Sequence, residues 1–238
     1  MHRISVNGMP VDVVRKDIKN LHLGVYPPEG RVRVAAPLRV DDEAVRLAVI
    51  TKLPWIRRQQ TRFGLQERQS PREYTYRETH YYLGRRYLLN VVEQAGPSRV
   101  EVSNSAGLDL YVPVGSDVQK REQVVLGWYR KELKALIPPM IEAWEETLGV
   151  TVDDWGVRRM KTRWGSCNVE ARRIWLNLEL AKKPVQCLEY IVVHEMMHLL
   201  ERNHTDRFRD LMDRFMPQWR YHRDLLNQAP LSHETWCY

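Results

Sequence analysis

The 238-residue sequence predicts an α+β fold, with a β-rich N-terminal part and a helical C-terminal part. Three observations carry this. Runs of alternating apolar and polar residues, broken by turn residues, recur as far as Val112. From Asp117 the apolar residues return at helical spacing. Later, Tyr190, Ile191, Val192, Val193, Met196, Met197, Leu199 and Leu200 make one stretch apolar nearly all round, which marks a buried helix. The chain reads as one domain over 1–238 with a core of about 20–228, a β-rich lobe of about 1–115 and a second lobe of about 116–238. No flexible linker separates the lobes.

Taken in order, residues near 11–37 alternate and break at Pro27-Pro28-Glu29-Gly30, as a hairpin or meander would. Asp41 and Asp42 then open a helix running to about Phe63, with Val45, Val49, Leu53 and Ile56 on one side. Strand character returns over 81–89, 99–102 and 108–112. The segment from about Asp117 to Leu148 is helical in pattern, and Pro138-Pro139 marks a kink or a new helix start. Two further runs, 159–164 and 174–180, have strand period and would pair antiparallel through Trp164-Gly165-Ser166-Cys167-Asn168. No internal repeat is visible.

Bulk properties narrow the setting. A hydrophobic content of 43% is enough to bury a core. No run has the length of a transmembrane helix, and the first eight residues lack the apolar core of a signal peptide, so a cytoplasmic protein without membrane contact is expected. Cys167, Cys187 and Cys237 are odd in number and widely spaced, against both a disulfide framework and a four-cysteine metal site. Cys167 reads as a packing residue rather than a nucleophile. The 37 basic against 30 acidic residues give +7, and the pI is near 9.4. Arg57, Arg58, Arg62, Arg85, Arg86, Arg158, Arg159, Lys161, Arg163, Arg172 and Arg173, with Trp55, Trp164 and Trp175 among them, admit weak nucleic-acid association. No helix-turn-helix or zinc finger accompanies them.

The chemistry concentrates at His194-Glu195-Met196-Met197-His198, followed by His204. Histidines four apart on a helix share one face and can hold one cation, each at roughly 2.0–2.1 Å. Glu195 lies about 100° round the helix from His194, within reach of a water at the metal but badly placed as a ligand. Its expected role is general base. In an apolar helix such groups carry a large desolvation penalty unless something pairs with them, and a divalent metal does so. A catalytic zinc needs a third protein ligand and one position for water.

His204 is the candidate third ligand. On an unbroken helix it would sit about 9 Å beyond His198, so the chain must turn. Asn203 tolerates the left-handed conformation that ends helices, and Thr205 can cap a new helix with the stripe Phe208, Leu211, Met212 and Phe215. Asp210, Asp213 and Asp224 are the rival ligands. Metzincin proteases share this histidine spacing but carry glycine where Glu201 stands here, and no Met-turn follows.

The motif series extends beyond the histidines. Arg159-Met160-Lys161-Thr162-Arg163-Trp164-Gly165-Ser166-Cys167, Ile174-Trp175-Leu176-Asn177, Glu189-Tyr190-Ile191-Val192-Val193-His194-Glu195 and Glu201-Arg202-Asn203-His204 together resemble the signature series of the YgjP-like metallopeptidase family. Pro28-Glu29-Gly30-Arg31-Val32-Arg33-Val34-Ala35-Ala36-Pro37 and Trp55-Ile56 extend the likeness over most of the chain. That family resembles the WLM and SprT-like metalloproteases. The resemblance implies a compact zincin-type fold with a histidine as third ligand, and speaks to mechanism more than to substrate.

The resulting expectation is a zinc metallopeptidase acting on a peptide or protein. His194, His198 and His204 hold Zn²⁺, and Glu195 moves a proton from water to the leaving amine. Arg163, Tyr190, Tyr221 and His222 are open candidates for stabilising the oxyanion. An edge strand of the 159–180 pair would hold the substrate extended, with the choice of strand open. Two other classes stand beside this one. One is a zinc-dependent amidase or other hydrolase on a small molecule. The other is a nucleic-acid-associated interaction module that keeps zinc for stability, against which an intact Glu195 counts. Oligomeric state is not legible.

Overall fold

The computed structural model describes residues 1–26, 30–65, 72–103, 106–160 and 163–228. Pro27, Pro28 and Glu29 of the expected turn, Lys161 and Thr162 of an expected strand, Cys237, and the Arg62 side chain lie outside the described residues. The fold is α+β, and the chain divides into two units between residues 71 and 72.

The first unit holds β1 (His2–Val6), β2 (Met9–Lys16), β3 (His22–Tyr26), β4 (Arg31–Pro37) and α1 (Asp42–Leu65). Its sheet order is β1-β2-β4-β3, with β2 and β4 parallel and both outer pairs antiparallel. Strand alternation turns Val11, Val13, Val32, Val34 and Ala36 to one face, where they form one core with Val45, Val49 and Ile56 of α1. Those three α1 positions are the stripe read from the sequence. Leu53, the fourth, is only partly buried.

The second unit begins with β5 (Thr79–Tyr82), β6 (Arg85–Glu93), β7 (Arg99–Ser103), β8 (Gly107–Val112) and α2 (Val118–Leu148). The sheet order β5-β6-β8-β7 and its pair directions reproduce the first sheet. Both first hairpins turn through two residues of positive φ, Asn7-Gly8 and Leu83-Gly84. Both helices open behind an aspartate: Asp41 accepts from the Ala44 N–H at 2.8 Å, and Asp117 from the Lys120 N–H at 2.7 Å. The chain therefore runs through one ββββα plan twice. The sequence hides this because the halves share alternation and turn geometry, which many residues satisfy.

Three expectations need revision. The run 81–89 is a hairpin rather than one strand, since Leu83 and Gly84 supply its turn. Their N–H groups donate to the carbonyls of Ala181 and Lys182, and a Cβ on Gly84 would stand 2.7 Å from the Pro184 ring. Pro138-Pro139 does not start a new helix, since the helix is continuous as α2. Buried Ile137 and Ile141 hold the turns on either side. The change of composition near residue 115 does not divide the chain. Leu89, Leu108, Leu110 and Val112 share one core with Val125, Tyr129 and Leu133 of α2.

Beyond α2 come β9 (Asp154–Arg158), β10 (Gly165–Asn168), β11 (Arg173–Asn177), a 3-10 turn (Leu178–Lys182), α3 (Val185–Met197), α4 (Asp206–Phe215) and α5 (Trp219–Gln228). Strands β10, β11 and β9 form a sheet in that order, with β11 central, antiparallel to β10 and parallel to β9. Among the described residues the first of the two expected runs thus yields no strand before Gly165, and the second ends at Asn177. No described helix is long and apolar enough to cross a membrane.

Pro139 is exposed while Pro138 is partly buried. Pro139→Ala should restore a main-chain donor inside α2 without removing packing, and raise stability by about 1–2 kcal/mol in urea unfolding. A drop in stability would mean that the proline ring itself packs.

Candidate metal centre

Helix α3 is apolar nearly all round, and the second unit packs about it accordingly. It packs against α2, α4, α5, β10, β11 and the 3-10 turn. Cys187, Leu188, Tyr190, Ile191, Val192, Val193, Met196 and Met197 are all buried. Trp144 Nε1 of α2 donates to Glu189 at 3.0 Å, and Tyr190 stacks on Trp219 of α5.

The helix ends at Met197, with His198 as its C-cap still in right-handed geometry, so the one-turn relation to His194 is kept. A tight turn follows, in which Leu199, Leu200 and Glu201 N–H groups donate to the carbonyls of Met196, Met197 and Met197. Asn203 does not take the expected left-handed conformation; its carbonyl instead accepts from the Thr205 N–H at 2.8 Å. Thr205 caps α4 by accepting from the Phe208 N–H, as read from the sequence.

This turn carries His204 back to the helix. Candidate ligand atoms of His194, His198 and His204 all lie within 4.8 Å of one another. His204 Nε2 stands 2.9 Å from His194 Nε2. His198 Nδ1 lies 3.1 Å from the Glu201 carbonyl, which can only accept, so Nδ1 carries the proton and Nε2 keeps its lone pair. His194 Nδ1 is buried without a hydrogen-bond partner among the described residues. Burial, then the charges of His198 and His204, push His194 down to about 3, leaving the neutral imidazole that ligation requires. Phe208 packs against all three rings, with centroids 5.1, 4.8 and 4.8 Å away. Three convergent imidazoles of this kind fit a divalent cation.

The rival aspartates do not join this cluster. Asp213 accepts from Trp219 Nε1 and Arg220, and Asp224 pairs with Arg223.

Glu195 is 5% exposed. Desolvation raises its carboxyl to about 8, with the Arg163 charge pulling the other way. Its side chain lies against β10, where a Cβ on Gly165 would come 2.5 Å from Oε1 and 2.7 Å from Cγ. Only glycine fits there. Cys167, two residues along the same strand, is pushed up to about 11 by burial and by Glu195, so it stays a thiol at neutral pH. Strand β10, Glu195 and the histidines line one open cleft of about 900 Å³. Of the open oxyanion candidates, Arg163 and Tyr190 line it, whereas Tyr221 and His222 do not.

Residues 19–229 match the YgjP-like metallopeptidase domain. The chain belongs to the YgjP-like family. No curated protein matches it. Membership brings a metal-dependent peptidase reading and, with it, a peptide or protein substrate class.

In this YgjP-like domain the signature Asn177 has a structural task that sequence reading left blank. Asn177 is 4% exposed. Its Nδ2 donates to the carbonyls of Met160 at 2.9 Å and Arg163 at 2.7 Å, while Oδ1 accepts from the N–H groups of Met160 and Glu179. This clamp ties Met160 and Arg163 to the end of β11, and it fixes the approach to Gly165. Further along the basic stretch, Arg159, Arg172 and Arg173 are paired with Glu122, Asp153 and Asp154.

Removing the clamp leaves main-chain groups at Met160, Arg163 and buried Glu179 without their partner. Asn177→Ala should lower stability by about 2–4 kcal/mol in chemical denaturation. A loss below about 0.5 kcal/mol would show that water replaces the amide at no net penalty.

Proposed function

We propose that this chain is a zinc-dependent metallopeptidase in which His194, His198 and His204 hold Zn²⁺ and Glu195 is the general base. The observation that carries the reading is the convergence of three imidazoles beside a buried carboxyl, on the floor of an open cleft. An all-imidazole donor set suits zinc better than calcium or magnesium, which take oxygen ligands. When bound, the cation supplies Lewis acidity, polarising the peptide carbonyl and lowering the pKa of water at the site.

The chain's own groups do the rest. Glu195 takes the proton of the attacking water on a carboxylate oxygen and delivers it to the departing amine nitrogen. Its apolar surroundings suit this two-way transfer, because desolvation brings the carboxyl toward neutrality. Strand β10 is an edge of its sheet and lines the cleft, so its free main-chain groups can pair with an extended peptide and lay the scissile bond beside Glu195. An open, strand-walled cleft favours a peptide over a compact small amide. Cys167 and Cys187 are unpaired, in keeping with a reducing cytoplasm as the proposed setting.

Metal analysis after mild purification should find about one zinc per chain. His194→Ala, His198→Ala and His204→Ala should each weaken zinc affinity at least about tenfold, while Asp210→Ala, Asp213→Ala and Asp224→Ala leave it unchanged. Metal loss in an aspartate variant but not in His204→Ala would reassign the third ligand.

Glu195→Gln should keep zinc and fold but lose turnover of an unstructured protein by at least about a hundredfold. Gly165→Ala should likewise keep zinc, because the atoms that its methyl would meet first all belong to Glu195. Its kcat should fall at least about tenfold with smaller change in KM. Normal turnover in Glu195→Gln would remove Glu195 from the mechanism.

A further inference from the structure

The cleft holds cations to which the reaction described so far assigns no role beyond the open oxyanion candidacy of Arg163. Arg163, Arg202 and Arg223 all line it, from three separate segments. Arg223 is engaged, since it pairs with Asp224 and lies over the Trp219 ring. Arg163 and Arg202 are exposed, and neither makes an ion pair or a side-chain hydrogen bond among the described residues. Some other arginines of the same unit differ in this. Arg159, Arg172, Arg173, Arg209 and Arg220 are each paired with a carboxylate. The acidic residues lining the cleft are Glu170, on the turn after β10, and the buried Glu195.

Resting on the peptidase reading, we propose that Arg163 and Arg202 form a subsite for a carboxylate next to the scissile bond, so that the enzyme selects acidic peptides. Both arginines border the reacting centre. Arg163 is close enough for its charge to act on Glu195, and it sits two residues before Gly165. Arg202 stands on the turn between His198 and His204. A guanidinium offers two parallel N–H donors that match the two oxygens of a carboxylate, a match that neither an amide nor an ammonium can make. A lysine at the same substrate position meets two like charges. The carboxylate comes from an aspartate or glutamate side chain within the peptide; a free chain terminus offers the same chemistry and is separated by experiment.

The test uses the zinc-loaded protein and a series of internally quenched peptides that differ at one position beside the cleaved bond. That position carries Glu, Gln or Lys, all with amidated ends, and one further Gln peptide has a free C-terminus next to the bond. Turnover is read as kcat/KM, and binding is read separately by fluorescence anisotropy on the Glu195→Gln protein. The Glu peptide should be preferred over Gln by about fivefold or more, with Lys poorest. Arg163→Gln/Arg202→Gln should bring the Glu-to-Gln ratio close to one, and Arg163→Glu/Arg202→Glu should reverse the order in favour of Lys. The preference should shrink between about 50 mM and about 500 mM salt.

Preference for the free-terminus Gln peptide over amidated Glu would keep the carboxylate subsite and assign it to the chain end. Equal ratios in the wild type would overturn the proposal. So would an equal loss for every peptide in the arginine variants, which would make Arg163 a catalytic or structural group instead. Selective, arginine-dependent binding of the Glu peptide without any turnover would sustain the subsite while the peptidase reading failed.

Discussion

A helix that is apolar nearly all round has to be covered nearly all round, and the second unit is arranged to cover α3. Three helices, two strands and the 3-10 turn pack against it. That burial is also what gives its polar residues their character. His194 is driven to the neutral imidazole and Glu195 toward the neutral acid by the same loss of water. Both groups then need something that the apolar surroundings cannot supply. They meet an opening, the cleft bounded by β10, by the turn that carries His204 and by α5.

The cleft is held in register by contacts well away from the histidines. Central strand β11 ends at Asn177, whose amide grips the main chain at Met160, Arg163 and Glu179. The grip delivers the chain to Gly165 at the point where β10 passes Glu195, with no space for a side chain. Phe208 wedges against the three imidazoles from α4, which Thr205 starts at the required place. Ligand, base and strand thus depend on one another through packing and main-chain hydrogen bonds, and the charged groups need few ion pairs of their own.

The ββββα plan is used twice, with different results. In the first unit the sheet and α1 complete a valine-rich core of their own. In the second, α2 runs on to Leu148 and adds Ile137, Ile141 and Leu148 to the core that takes in α3. The hairpin turn at Leu83-Gly84 is bonded to the 3-10 turn that leads into α3. One plan serves as a self-contained module and as the platform under a site. The two uses differ in the length of the helix and in the elements that succeed it along the chain.

Much of this was legible in the residues themselves, because the signals are local. Four-residue spacing places His194 and His198 on one face, all-round apolarity buries α3, and Thr205 caps α4; each depends on a single helix period or a single hydrogen bond. The need for a turn before His204 followed from the rise of a helix, but its form did not. Main-chain bonding over 196–201 made the turn where a left-handed Asn203 was expected. The identity of the edge strand, the clamp at Asn177, the contact of Gly165 with Glu195 and the repetition of the sheet plan were decided only in three dimensions. Each is a relation between segments distant in sequence, and strand register and close packing are set by partners that periodicity along one segment does not encode.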